Sequence, residues 1–202
     1  MGEVRSPLLG NDLPGSTPLD EEDLEGLIPQ FITTRRELFD AEFRNITEAY
    51  TKYLTSSRKF SFSMKNLYKV HKDMFEKIWK WAGAKRKTNK NIGVDKTQID
   101  VELKKLLDDF EYWEKESVDP IEVSAKLHYR LVAIHPFNNG NGRWARFIAS
   151  IYLKQKTRET IQWPDDEMRI TTEFRKQYIQ TLVEAGKHNY KPLIQLHKEH
   201  LS

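Results

Sequence analysis

The stretch His135-Pro136-Phe137-Asn138-Asn139-Gly140-Asn141-Gly142-Arg143-Trp144-Ala145-Arg146 decides how this chain is read. Apolar residues recur at helical spacing on both sides of it: Ala125, Leu131 and Val132 before, with His128 on the same stripe, and Phe147, Ile148, Ile151 and Tyr152 after. The stretch is therefore a joint between two strongly apolar helices, expected at the heart of a bundle. Two of the nine glycines fall in it. Gly140 and Gly142 let the backbone turn N–H groups inward at the start of a helix, the arrangement that cradles phosphate oxygens. Arg143 lies in the first turn of that helix, and Arg146 follows at i+3 on the same face. Two cations at a helix N-terminus oppose its dipole, and an anion bound there reverses the penalty. His135 is the group in the stretch whose ordinary pKa, about 6.5, suits proton abstraction near neutrality.

Working outward, helical signals dominate. Asp119-Pro120-Ile121-Glu122 sets a cap, a proline at the first helical position and a box partner ahead of the helix leading to His135. The helix after the joint spans roughly 142–155. Thr34-Arg35-Arg36-Glu37 is a capping box, and the helix it opens has Phe39, Phe43, Ile46, Tyr50, Tyr53 and Leu54 as its buried stripe. Another helix starts at Ser63 and is expected to end at Gly83. Helix resumes after Asp100, and again after Pro164, closing at Gly186. Residues 84–99 break the rhythm with a basic, polar run containing Asn, Gly and a few β-branched residues, which predicts a short hairpin. The fold class is all-α, a helical bundle interrupted once by a short β-hairpin. Residues 1–18, with three of the eight prolines, read as a disordered tail, and 19–202 as a single domain.

Composition narrows the function classes. The chain has 202 residues with 33 basic and 30 acidic side chains, a net charge of +3 that gives no argument for a polyanion partner. No apolar run approaches the roughly 18–20 residues a bilayer needs. No h-region follows Met1, so a secretory signal is not expected. The lack of cysteine removes disulfides, thiolate metal sites and cysteine nucleophiles, and fits a cytoplasmic protein. The run Gly-x-x-x-x-Gly-Lys-(Ser/Thr) does not occur, which excludes a P-loop NTPase.

The joint resembles the motif of Fic-domain (Fic/Doc) proteins, His-x-Phe-x-(Asp/Glu)-Gly-Asn-Gly-Arg-x-x-Arg. His135, Phe137, Gly140, Asn141, Gly142, Arg143 and Arg146 match seven of its eight fixed positions. The resemblance covers about residues 60–155, with Trp79 to Ile99 similar to the Trp-Ala-Gly segment and the target-registering hairpin, the flap, at about 84–99. The segments Thr17-Pro18-Leu19-Asp20 and Thr33-Thr34-Arg35-Arg36-Glu37 extend it towards the subgroup called mobile mystery protein B.

The resemblance implies a protein adenylyltransferase that moves AMP from ATP to a Ser, Thr or Tyr hydroxyl of a target protein, with Mg²⁺ as cofactor and room for a regulatory partner protein. It implies His135 as general base, Gly140, Asn141 and Gly142 as the anion hole, and Arg143 as the stabiliser of the departing pyrophosphate. By the same resemblance Arg146 grips the γ-phosphate, Phe137 anchors the loop, and Ile92 or Val94 in the flap clamps an extended target segment. The departure is Asn139, where the family has Asp or Glu as a ligand of Mg²⁺. Asn offers a neutral carbonyl, so weaker metal binding is expected. An inhibitory helix is matched in part by Glu21-Glu22-Asp23-Leu24-Glu25-Gly26, with Glu25 as the residue that would pair with Arg146. Transfer of another phosphate-containing moiety, or nucleotide or partner binding without turnover, are the alternative readings.

Other candidates have plainer explanations. His128 reads as a core histidine bonded to backbone, and Trp144 as core packing. His197-Lys198-Glu199-His200 reads as solvated surface. The basic flap residues Lys85, Arg86, Lys87, Lys90 and Lys96 lack interleaved aromatics, so direct nucleic-acid binding is not expected.

Overall fold

The computed structural model describes residue 8, residue 19, residues 21–168 and residues 171–202. Their helices are α1 (Glu21–Glu25), α2 (Arg35–Leu54), α3 (Met64–Phe75), α4 (Ile99–Lys115), α5 (Pro120–Ile134), α6 (Asn141–Thr157), α7 (Asp165–Met168), α8 (Glu173–Gly186) and α9 (Lys191–Glu199), with a 3-10 turn at Lys96–Gln98 before α4. Among the described residues no helix is long and apolar enough to cross a membrane. The expected tail, residues 1–18, lies outside the described residues apart from Leu8, which is buried.

The two helices flanking the joint, α5 and α6, form the most extensive helix pair. Every residue of α6 from Trp144 to Leu153 is buried, as expected of a helix at the centre of a bundle rather than on its surface. Helices α2 and α3 pack on each other and on α6, while α4, α8 and α9 pack on α5. The polar N-terminus of α6 thus ends inside the protein. Local signals start these helices as read: Thr34 accepts from the Glu37 N–H in a reciprocal capping box, and Asp119 accepts from the N–H groups of Ile121 and Glu122.

Four expectations are corrected. First, the inner face of α2 is only partly the expected stripe: Ile46 lies on it, and Tyr50, Tyr53 and Leu54 pack half-buried against the core. The buried residues of α2 are Leu38, Ala41, Glu42, Asn45, Ile46 and Ala49, whereas Phe43 is 44% exposed. The polar pair on that face is satisfied: Asn45 donates to the Asp73 carbonyl at 3.0 Å and accepts from the Lys77 N–H at 3.1 Å. Second, α3 stops at Phe75, and the chain reaches Gly83 through turns. There the Gly83 N–H donates to His71 Nδ1 at 3.0 Å.

Third, residues 84–99 form no hairpin ladder. The isolated bridges among the described residues are Leu27 with Trp79 and Ile161 with Leu201. Side chains supply the hydrogen bonds a second strand would have supplied, chiefly those of Arg86 and Asn89. Fourth, His197 is fully buried. With Leu193 and Leu196 it makes the inner face of α9, within hydrogen-bond distance of Ser124 Oγ (3.1 Å) and His128 (2.9 Å). His128 is a core histidine, as expected, but its partners are His197 and the Tyr178 hydroxyl rather than backbone.

Candidate active site

His135 closes α5 in the left-handed region, φ 55° and ψ 59°, a conformation a β-carbon disfavours. The turn breaks the helix and throws the chain into the loop 136–140. The Val132 carbonyl lies 3.3 Å from His135 Nδ1. A carbonyl only accepts, so Nδ1 carries the proton and Nε2 the lone pair. The residue is 6% exposed. Burial, against the upward pull of the Val132 hydrogen bond and with the nearby cations Arg86 and Lys90 adding to it, lowers its pKa to about 4. His135 is therefore neutral at pH 7 and competent to take a proton.

The loop is held from within and from α3. The buried Asn141 side chain accepts from the Phe137 N–H at 2.9 Å and donates to the Phe137 carbonyl at 2.8 Å. Its amide is thus committed to the loop's shape. Phe137 is fully buried, as expected of an anchor, and stacks on His71 with ring centroids 3.6 Å apart. His71 Nε2 donates to the Asn139 carbonyl at 3.0 Å. Gly140 has φ +79°, and a β-carbon there would come within 2.6 Å of the Phe75 ring, so only glycine fits. Gly142 has room, since a β-carbon would meet only Arg146 Nη1 at 3.7 Å.

The two arginines do not share one set of partners. Arg143 donates to Glu42 Oε2 at 2.6 Å, and its guanidinium lies 4.9 Å from the Phe75 ring centroid. Arg146 is buried against the Trp163 and Tyr178 rings and donates to the Tyr178 hydroxyl at 3.5 Å. Glu25 is exposed, and its expected partner Arg146 is engaged with α8 instead. The structure does not bring Glu25 and Arg146 together. Instead Asp23 forms a buried ion pair with the flap's Lys90 at 3.0 Å.

The flap is fastened beside His135 by one guanidinium. Arg86, 3% exposed, donates to the carbonyls of His135 (2.7 Å), Thr88 (2.8 Å) and Val94, while its own N–H donates to the Pro136 carbonyl at 2.9 Å. The Val94 N–H reaches the Ile134 carbonyl at 3.4 Å, and Ile92 and Val94 are half-buried. Gly93 passes so close that a β-carbon would sit 2.5 Å from His135 Cβ. Sequence reading missed Glu42, Asp23 and Lys90 as partners, and took Arg86 for one of several basic flap residues.

Asn139 does not fit a ligand of a resident Mg²⁺. Its Oδ1 accepts from the Gly140 N–H at 2.7 Å and from Arg143 Nη2 at 3.4 Å. A neutral oxygen facing a guanidinium is a poor donor to a hard dication. Among the described residues, no group of three or more His, Cys, Asp or Glu could hold a metal ion.

The sequence pattern of the Fic/DOC family matches residues 61–153. Residues 61–153 form a Fic domain. Protein adenylyltransferase Fic of Drosophila grimshawi is 26% identical over 150 residues, which cover 71% of this chain and 30% of the relative. Protein adenylyltransferase fic-1 of Caenorhabditis elegans is 31% identical over 84 residues, 42% of this chain and 15% of the relative. The chain thus spans less than a third of the length of either. Among solved structures, BepC of Bartonella tribocorum with bound AMPPNP superposes with a TM-score of 0.68 at 18% identity, covering 91% of this chain and 99% of that one. The α5–loop–α6 unit described above is thus the motif-bearing part of the Fic domain.

The buried histidines of the chain set a pH limit on its stability. Burial holds His135 near 4, His71 and His197 near 3, and His128 well below its ordinary value. In the unfolded chain each titrates near 6.5, so between those values the unfolded state binds more protons. Stability is complete above about pH 6.5 and falls with acidification by up to about 1.4 kcal/mol per pH unit for each histidine. The urea midpoint should drop steeply between about pH 6.5 and about pH 5. An unchanged midpoint would mean that these rings are already protonated in the fold.

Proposed function

We propose that this chain is a Fic-type protein adenylyltransferase, transferring AMP from ATP to a Ser, Thr or Tyr hydroxyl of a target protein. One observation carries the reading. A neutral histidine, its tautomer set by Val132, stands at the end of α5 one short loop before the N-terminus of α6, where Arg143 lies in the first turn. That pairing puts a base beside a phosphate cradle. The names of the Drosophila and Caenorhabditis relatives and the AMPPNP bound to BepC support the donor and the reaction.

In this reading the target's O–H gives its proton to His135 Nε2 as the oxygen bonds to the α-phosphorus. The bond from the α-phosphorus to the oxygen bridging the β-phosphate breaks, and pyrophosphate leaves with that electron pair. Backbone N–H groups of Asn141 and Gly142 and the Arg143 guanidinium stabilise the charge on the departing oxygens, while Gly140, whose own N–H is held by Asn139 Oδ1, supplies the turn. Arg146, beside Gly142, takes the far end of the phosphate chain. Ile92 and Val94 border the path of the target segment. A neutral imidazole with so low a pKa is a weak base, and the negative charge of bound ATP raises it towards the working range. Mg²⁺ enters on the phosphates of ATP as part of the substrate rather than as a metal resident on the chain.

The absence of cysteine supports a reducing, cytoplasmic setting. The short helix α1, with Glu21 and Glu25 exposed and Asp23 joined to the flap through Lys90, supports a regulatory partner acting at this end of the site.

Two comparisons test the reading. ATP labelled in its α-phosphate should mark a target, while ATP labelled in its γ-phosphate should leave it unmarked; the reverse would establish phosphoryl transfer. Asn139→Asp should lower the Mg²⁺ concentration needed for half-maximal transfer, because it places a carboxylate where an amide now stands. Unchanged Mg²⁺ dependence would show that residue 139 does not face the metal.

A further inference from the structure

We infer that Glu42 is a positioning residue for Arg143, holding its guanidinium in place at the mouth of α6 while offsetting its charge. Glu42 comes from α2, outside the residues that match the family pattern. Its side chain is 7% exposed, against 25% for Arg143. Each carboxylate oxygen has a separate role. Oε1 accepts from the buried Trp79 indole N–H at 2.7 Å, and Oε2 accepts from Arg143 Nη1 at 2.6 Å. Trp79 is 1% exposed and stacks on Trp81, so the orienting donor cannot drift.

The guanidinium is gripped on three sides: by this carboxylate, by the face of Phe75, and by Asn139 Oδ1. A long, flexible side chain normally spends conformational entropy to hold one geometry; here α2 and α3 have already fixed it. The partnership also has an electrostatic consequence. A carboxylate on Arg143 reduces the attraction between that arginine and an incoming polyphosphate. Glu42 therefore gives up part of the nucleotide affinity and secures the orientation of the cation that stabilises the leaving group.

The inference rests on the adenylyltransferase reading, and its test separates the two. Glu42→Gln keeps the side chain's size and a hydrogen-bond acceptor for Trp79 but removes the charge. Calorimetric titration with a non-hydrolysable ATP analogue should show about tenfold tighter binding. The maximal rate of label transfer from ATP should fall about tenfold or more, and the unfolding midpoint should stay near wild type. A purely structural role would weaken binding, transfer and stability together, and that result overturns the inference. So does nucleotide binding equal to wild type. Should Glu42→Gln unfold at lower denaturant, Glu42→Asp decides instead. It keeps the charge but shortens the reach, so KM should hold while kcat falls; parallel changes, or none, overturn the inference. A wild-type chain that binds no nucleotide overturns the adenylyltransferase reading itself.

Discussion

His135→Ala is expected to reduce target labelling by about 10²–10⁴-fold, the usual contribution of a positioned general base, while leaving the fold in place. The imidazole's one short contact with its own helix is the Val132 carbonyl at 3.3 Å. The bonds that hold residue 135 in place use its backbone instead: its carbonyl accepts from the flap's Arg86 Nε at 2.7 Å, and its N–H closes α5 by donating to the Leu131 carbonyl. Alanine preserves those backbone bonds. It also removes a buried imidazole that must stay neutral, so the acid sensitivity of stability should diminish. Nucleotide binding should survive because the cradle belongs to residues 140–143. Transfer at the wild-type rate by a folded His135→Ala protein would take this histidine out of the mechanism.

Arg86→Ala should be the most damaging single change in the flap, costing about 3–5 kcal/mol of stability. The guanidinium satisfies the carbonyls of His135, Thr88 and Val94 from one buried point. Its removal leaves buried acceptors without their charged donor in a segment that has no ladder of its own. Lysine is no substitute, since one ammonium cannot reproduce the fork. Transfer should fail along with stability, because the same contacts hold residues 92–94 against His135. Denaturant unfolding and limited proteolysis within 84–99 would measure both effects. A midpoint within about 0.5 kcal/mol of wild type would show that the flap keeps its conformation without this anchor.

Sequence made the site's centre legible because its constraints are local. A break, two glycines and a first-turn arginine lie within twelve consecutive residues directly after an apolar helix, and the structure keeps that order from α5 to α6. The capping box at Thr34, the cap at Asp119 and the proline start at Pro120 are likewise short-range and were read correctly. What failed depends on distant partners. The inner face of α2 is legible only in part, because aromatic residues make a clearer stripe than Glu42 and Asn45, which are buried only because Trp79, Arg143, Asp73 and Lys77 wait for them. Arg86 looked like one more basic residue in a polar run. Nothing in the sequence distinguishes a guanidinium that caps three carbonyls from one that faces water. His197 was misread for the same reason, since its partners Ser124 and His128 lie about 70 residues away.

The central claim is that His135 and the α6 N-terminus move AMP onto a protein hydroxyl. The most direct measurement is the mass spectrum of target proteins from a lysate incubated with ATP and either the wild-type chain or His135→Ala. The account predicts peptides carrying AMP on a Ser, Thr or Tyr hydroxyl with the wild type, and their loss with His135→Ala. Adducts that persist with His135→Ala, or a phosphoryl group in place of AMP, would contradict it.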